Sequence, residues 1–358
     1  MNTAIGHCPK NILLVQLGDI GDVVLTTPTI RAVKKTCPDA RVSILVFKPY
    51  GSLLAADPNV HEVVETERMR GTLSRRLHEF WKFALRLRQR GYDLVIDLRT
   101  GDRGALLSFL SGARKRIGRE GVKKQFWHEI LFTDIVRKLQ EAPPPVHPGA
   151  DQSLRVVRAL GIDTDDSTPR LYVAETDRMR AQQLLAERGL APGELFTVNP
   201  YSRWKYKEWS NDKWGTVIDR LWEEYRLPAV LIGAPEEAAA CAAIALGREN
   251  HTYNLAGQTT LGELAAVISM SALHLGVDSA APHIAAALDT PCIAVHGPTE
   301  WRSWRVATSR QRIVSAQMDC LPCSNTGCDG NGRSRCLDEL PVEPVISTAR
   351  ELLEAPHN

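Results

Sequence analysis

The sequence has no apolar run long enough to cross a bilayer. Its longest helix-like apolar stretch, Leu264–Val277, holds 14 residues between Glu263 and Asp278, short of the roughly 20 that a spanning helix needs. A secretory leader pattern is missing too. The apolar run Ile12–Gly18 is brief and ends at Asp19, so a soluble, cytoplasmic chain is expected. Aromatic residues make up only 6% and are not interleaved with the basic ones, which disfavours a stacking platform for nucleic acid. Nor is there an excess of one charge: 44 Lys+Arg against 42 Asp+Glu leave a net +2, which argues against a generic polyanion-coating protein.

What is present is a chain of 358 residues, 44% hydrophobic and 24% charged, long enough for two domains with full cores. Such a chain does not need disulfide staples, and a reduced compartment is expected for its eight cysteines. Cys8, Cys37, Cys241 and Cys292 are scattered, the last two in apolar surroundings that suit buried free thiols. Cys320, Cys323, Cys328 and Cys336 crowd together near the carboxyl end. Four thiolates can close a tetrahedral structural zinc site, although the second pair is spaced unlike a zinc ribbon's second knuckle, and a disulfide-capable loop is the alternative. No open coordination position points to catalytic zinc.

Short apolar runs alternate with helical patterns. Strands are predicted at Ile12–Leu17, Val42–Phe47, Val60–Val64 and Tyr92–Leu98, with helices over Val23–Lys35 and Thr72–Arg90. The proline-rich stretch Pro143–Pro148 reads as an extended connector, followed by a helix Asp151–Leu160 and a strand near Arg170–Val173. A second series begins at Leu195–Asn199 and continues through Ala229–Gly233, Thr252–Leu255, Leu273–Val277 and Cys292–His296. This alternation means parallel α/β sheets. No short-period repeat is present, but the two halves could share one architecture.

The near-zero net charge hides a gradient. From Arg68 to Lys124 there are 16 Lys+Arg and 5 Asp+Glu, a local +11. Arg68, Arg70, Arg75, Arg76, Arg86, Arg88, Arg90, Arg99, Arg103, Arg114, Lys115 and Arg116 contribute to it. Solvated helix faces account for part of this excess. The sharper reading is a basic surface for a phosphorylated ligand or an acidic leaflet.

Four segments carry candidate chemistry. Gly18-Asp19-Ile20-Gly21-Asp22 follows the first strand and opens a helix, where open α/β sheets bind ligands. It matches neither the dinucleotide fingerprint nor a phosphate loop, and it places a carboxylate, Asp22, where phosphate binders keep small neutral residues. Asp22 reads as a helix cap on spacing alone, or as a general base. Tyr201–Trp209 supplies Ser202, Lys205 and Lys207 in a strand-to-helix loop suited to phosphate oxygens, with Trp204, Trp209 and Trp214 read as packing. Glu236 and Glu237 follow Gly233 and could meet ribose hydroxyls or simply charge a helix's first turn. Gly276-Val277-Asp278-Ser279-Ala280-Ala281-Pro282-His283 ends a strand and starts a helix whose free amides favour a diphosphate; His283 lies in its first turns. Gly297-Pro298-Thr299 adds a third loop on that sheet edge, which indicates a nucleotide site. Asp163-Thr164-Asp165-Asp166 contains a literal Asp-x-Asp but reads as an acidic surface turn.

Taken together, Ile12–Pro28, Asp97–Leu107, Leu154–Ile162, Asn254–Leu264, Gly276–Leu288 and Gly297–Thr299 resemble the ADP-heptose:lipopolysaccharide heptosyltransferases, glycosyltransferase family 9. Ser202-Arg203-Trp204-x-x-Lys207-x-Trp209 with Gly276-Val277-Asp278-Ser279 is most similar to the heptosyltransferase III branch. The resemblance implies an α/β GT-B fold: two Rossmann-like domains with parallel sheets facing an interdomain cleft. It implies an acceptor domain over 1–178, an ADP-sugar donor domain over 179–340, and a tail helix over 341–358 packed back on the first domain. The implied reaction is inverting transfer of heptose from ADP-heptose to the lipopolysaccharide inner core, at the inner leaflet of the inner membrane, with no cofactor required and no nucleic acid bound. In that reading Asp22 is the base and Ser202, Lys207, Glu236 or Glu237, Asp278, Ser279, Ala280 and His283 hold the donor. Arg99 and Arg103 are the acceptor contacts. Ala280 stands where the family has Gly, and Gln16 where a basic residue is usual. A GT-B enzyme using another nucleotide-sugar and a non-catalytic membrane-surface protein are the rivals.

Overall fold

Strand formation in the first half follows from runs of buried aliphatic residues, of which Ile12, Leu13, Leu14 and Val15 are fully inaccessible, the signature of a parallel strand covered on both faces. A computed structural model describes residues 8–68, 72–120, 127–137, 149–306, 308–330 and 332–355. The expected Pro143–Pro148 connector, and Arg70 and Lys124 of the basic region, lie outside them. The chain divides into two compact units, Met1–Tyr172 and Val173–Asn358, whereas the resemblance implies a boundary after residue 178.

The first unit runs β1 (Asn11–Val15), α1 (Ile20–Leu25), α2 (Thr27–Thr36), β2 (Arg41–Phe47), β3 (Glu62–Thr66), α3 (Leu73–Gln89), β4 (Leu94–Asp97), α4 (Asp102–Leu110), β5 (Lys115–Arg119), α5 (His128–Leu131), β6 (Asp134–Val136) and α6 (Asp151–Arg158). The second runs α7 (Glu175–Ala186), β7 (Phe196–Asn199), α8 (Asn211–Tyr225), β8 (Ala229–Leu231), α9 (Ala238–Ala245), β9 (Thr252–Asn254), α10 (Leu261–Ser269), β10 (Leu273–Val277), α11 (Ala280–Ala287), β11 (Cys292–His296), β12 (Gln311–Ser315), α12 (Arg335–Glu339) and α13 (Glu343–Leu353).

The two sheets have the same order, β3-β2-β1-β4-β5-β6 and, read from its other edge, β9-β8-β7-β10-β11-β12. All neighbours are parallel, for example Ile12 opposite Val42 and Leu94, and Leu275 opposite Val198 and Ile293. This is the doubly wound order, whose connections reverse direction between β1 and β4 in one unit and between β7 and β10 in the other. The shared architecture of the two halves is therefore present. Helix ends are set locally. Thr260 Oγ1 accepts from the Glu263 amide at 3.2 Å while Glu263 Oε2 accepts from the Thr260 amide at 2.7 Å, a reciprocal cap at the start of α10.

Several expected elements differ. The helix predicted over Val23–Lys35 is two, broken at Thr26, because Pro28 can sit in the first turn of α2 but not inside a continuous helix. No strand forms near Arg170–Val173. Pro169 has no N–H to offer a ladder, and the Arg170 amide donates to Thr27 Oγ1 at 3.0 Å, tying the segment to α2. Cys8 and Cys37 are joined as a disulfide, with Cα atoms 5.4 Å apart, against the expectation of reduced thiols; the residues before β1 run beside the end of α2. Asp163 and Asp166 are engaged by Arg158, Arg31 and Arg170, as an acidic surface turn should be.

The tail helix packs within the second unit. Val345, Ile346, Ala349 and Leu352 of α13 join the core of the second unit with Trp214, Leu275 and Ile293. Arg350 pairs with Glu224 at 2.8 Å, and Lys213 Nζ donates to the carbonyls of Leu337 and Leu340 at 3.2 and 2.8 Å. The apolar face of α13 thus covers β10–β12 within its own unit.

Candidate functional site

In the first unit the reversal point between β1 and β4 brings together the two loops that leave those strands. Gly18 and Asp19 turn the chain out of β1, and Asp22 falls in the first turn of α1, where its Oδ2 accepts from the Asp19 amide at 2.9 Å. Asp22 does cap the helix. The same oxygen also takes the guanidinium of Arg99 from the loop after β4, and among the described residues Oδ1 has no hydrogen bond. A side chain at position 18 would overlap Asp22 and Arg99, so only glycine fits there.

Around this pair lies a small polar hollow lined by Gln16, Leu25, Leu98, Arg119, Gln152 and Ser153. Gln16 is held by Thr26, Nε2 to Oγ1 at 2.7 Å, and Thr26 lies 3.2 Å from Ser153. Arg99 owes its position to Asp97, whose Oδ1 accepts from the Arg99 and Thr100 amides at 3.0 and 2.8 Å. Thr100 adopts φ +55°, uncommon for a residue with a Cβ, and its hydroxyl accepts from the Arg119 amide at 2.8 Å. Burial raises the Asp97 carboxyl to about 6, against the pull of the Thr100 and Arg99 amides and Arg119. Arg119 is itself lowered by burial, with Asp97 and Asp22 opposing. Arg103 points elsewhere: it donates to Thr66 Oγ1 at 2.6 Å and lies 5.4 Å from the Phe47 ring centroid. Of the two arginines singled out in the sequence, Arg99 meets Asp22 and Arg103 does not.

In the second unit the reversal point falls between β7 and β10. Lys207, in the 205–207 turn after β7, places Nζ 2.7 Å from Asp278 Oδ2. Thr299 donates to the same oxygen at 2.5 Å, and His296 Nδ1 lies 4.0 Å away. Burial alone would raise the Asp278 carboxyl, but the surrounding His296, Lys207 and Thr299 hold it down to about 2. Burial also pushes His296 down to about 4. His296 is therefore uncharged at neutral pH, where Lys207 and the Thr299 hydroxyl hold Asp278 ionised; the pull of His296 on that carboxyl acts only once the ring protonates below about pH 4.

Ser279 occupies the cap position of α11 but makes no capping bond. Its hydroxyl donates instead to Asn199 Oδ1 at 2.6 Å, and Asn199 Nδ2 donates to the Ile232 carbonyl at 3.2 Å. The amides of Ala280 and Ala281, which open α11 ahead of Pro282, have no carbonyl within the helix to meet them, a ready anion site. His283 follows one turn later on the same helix. Ser202 receives the Trp204 amide at 3.4 Å, and its own amide donates to Glu208 at 3.2 Å. After β8, Glu237 Oε2 accepts from the Ala234 amide at 2.8 Å and burial raises its carboxyl, while Glu236 is exposed. Trp209 and Trp214 pack edge to face at 5.1 Å in the core; Trp204 is 51% exposed, against its expected packing role.

Sequence reasoning brought Lys207, Asp278 and Ser279 to one sheet edge but missed Asn199, His296, Asp97 and Arg119. Asn199 and Asp97 each end a strand, a position that could have drawn notice. Among the described residues no three His, Cys, Asp or Glu are grouped to hold a metal ion, and Cys320, Cys323, Cys328 and Cys336 are free cysteines. Cys320 is exposed and Cys336 buried, its thiol pushed up to about 11 by that burial.

Comparison with known proteins gives three findings. The family model for glycosyltransferase family 9 (heptosyltransferase) matches residues 80–332. Lipopolysaccharide heptosyltransferase 3 of Escherichia coli is 31% identical over 295 residues, covering 79% of this chain and 83% of that protein. Among solved structures, the glycosyl transferase family 9 protein from Veillonella parvula superposes with TM-score 0.84 at 22% identity, over 98% of this chain and 99% of that one. The E. coli ADP-heptose lps heptosyltransferase II does so with TM-score 0.79 at 20% identity, over 96% and 98%. These superpositions establish the two-domain GT-B fold.

Proposed function

The chain belongs to glycosyltransferase family 9, the heptosyltransferases, and from that premise we propose that it transfers heptose from ADP-heptose to the lipopolysaccharide inner core as a heptosyltransferase III. The observation that carries the site assignment is the placement of Asp22 and of Lys207 with Asp278 at the equivalent reversal points of two sheets of identical order, where open α/β sheets bind ligands.

The first unit takes the lipid-linked acceptor and the second takes the donor. Asp22 accepts the proton of the acceptor hydroxyl through its free Oδ1, while Arg99 and the Asp19 amide fix the carboxylate through Oδ2. The hydroxyl oxygen attacks the anomeric carbon opposite the departing ADP, so the configuration inverts. Lys207 and the amides at the start of α11 take up charge developing on the diphosphate, a task that needs no divalent ion. Ser202 and Ala280 border that diphosphate position, His283 stands behind it, and Glu236 or Glu237 meets the ribose. Arg99 and Arg119 draw anionic groups of the acceptor toward Asp22. The enzyme works at the inner leaflet of the inner membrane as a peripheral protein; no described helix is long and apolar enough to cross a membrane.

The test is Asp22→Asn. Turnover should fall about 10²–10⁴-fold, while thermal stabilisation by ADP-heptose, and not by UDP- or GDP-sugars, remains. Full activity of the variant with the lipopolysaccharide acceptor refutes the base assignment.

A further inference from the structure

A surface helix needs one apolar stripe, turned to its core. Helix α3 has two. Ala84 and Leu87, with Phe80 and Phe83 beside them, pack into the core against Leu13, Val15 and Val95. Leu77, Trp81 and Leu85, spaced four residues apart along the flank of that buried stripe, are 51%, 53% and 60% exposed. The stripe does not end with the helix. Helix α4 packs beside α3 and α5 beside α4, and they add Phe109 at 44% and Ile130 at 69% exposure.

Cations are set among these side chains. Arg76, Lys82, Arg86 and Arg88 are exposed on α3. Arg88 lies over Gly112 at the end of α4, and the Arg116 guanidinium sits 5.4 Å from the Phe109 ring centroid. On the acid side, Glu79 is exposed on α3 and Asp102 is engaged by His128 at 3.0 Å.

We propose that this α3–α4–α5 face docks the protein on a membrane surface bearing anionic headgroups. Long basic side chains can extend from an apolar surface to phosphates while their stems remain among acyl chains. A tryptophan ring in mid-stripe suits the headgroup boundary. Self-association through the same face would set arginines and lysines of one copy against those of the other. The proposal supplies the face for the peripheral membrane contact put forward above and rests on that reading.

The test sediments the full chain with vesicles of phosphatidylcholine alone or mixed with phosphatidylglycerol. Wild type should bind the anionic vesicles and be released by salt. Leu77→Ser/Trp81→Ser/Leu85→Ser should lose at least about 10-fold in partitioning. Lys82→Glu/Arg86→Glu should lose about 25-fold or more, at roughly 5-fold for each basic residue near an anionic surface. Unchanged melting temperatures would show that the variants are folded. The proposal is overturned by absent wild-type binding, by equal binding to both vesicle types, or by a triple variant that binds as wild type does. It is also overturned if the triple variant dissociates a dimer, which would make the face a self-interface. Transfer of heptose to a deacylated, water-soluble core should be the same in all three proteins. Transfer without vesicle binding sinks the docking face alone, whereas vesicle binding without transfer sinks the enzymatic reading alone.

Discussion

Replacing Asp278 with asparagine keeps the side chain's shape and removes its charge from a site where Lys207 Nζ is 2.7 Å away and the carboxylate is 9% exposed. Breaking a buried ion pair costs about 3–5 kcal/mol when the remaining charge cannot reach water. Lys207 is 17% exposed and can partly rehydrate, so the expected loss is smaller, about 2–3 kcal/mol. The pH dependence gives an upper figure, since His296, once protonated below about pH 4, adds to the pull of Lys207 and Thr299. The carboxyl sits at about 2 in the folded chain against an ordinary 3.8, and at ~1.4 kcal/mol per pH unit that is roughly 2 kcal/mol. Because the folded value is depressed, this stabilisation is present above about pH 4 and is lost as the pH falls toward 2. At ~2–4 °C per kcal/mol for a unit of this size, Asp278→Asn should melt about 5–10 °C lower at neutral pH. The gap to wild type should close progressively below pH 4. The assay is thermal denaturation of both proteins across that range. Melting within 1 °C of wild type at pH 7, or an acid limb of unchanged depth, would refute the idea that the Lys207–Asp278 pair holds this edge of the sheet.

Two further outcomes follow from the same geometry. Asp97 is raised to about 6 by burial, so its stabilising contribution is present below about pH 4 and is lost as the pH rises through 6. Asp97→Asn preserves an acceptor for the Arg99 and Thr100 amides and should be more stable than wild type by roughly 1–3 kcal/mol above pH 6, with no gain at pH 4. Equal stability at both pH values in denaturant titrations would contradict this. Lys207→Met should abolish the rise in melting temperature produced by ADP; a shift equal to that of wild type would remove Lys207 from the diphosphate site.

The α/β class and both reversal-point loops were legible because glycine, aspartate and short aliphatic runs keep a local pattern. The Gly18–Asp22 turn and the Asp278–Ser279 turn each follow a run that reads as a buried strand. Strands β5, β6 and β12 were not predicted. Lys115-Arg116-Ile117-Gly118-Arg119 and Gln311-Arg312-Ile313-Val314-Ser315 carry too much charge and polarity to read as strands, and they form because a neighbouring strand supplies a partner. Asn199 and His296 were missed for a related reason. A polar residue at the end of an apolar run looks like punctuation until the tertiary fold sets it beside Ser279 or Asp278. The core that α13 covers was not legible, because an amphipathic pattern shows that a helix has an apolar face and not which core that face covers.

The most direct measurement is mass spectrometry of lipopolysaccharide core acceptors from a heptose-deficient strain, after incubation with ADP-heptose and either wild type or Asp22→Asn. The account predicts addition of one heptose by wild type, with release of ADP, and little or none by the variant over the same period. An acceptor left unchanged by wild type, or equal conversion by both proteins, would contradict it.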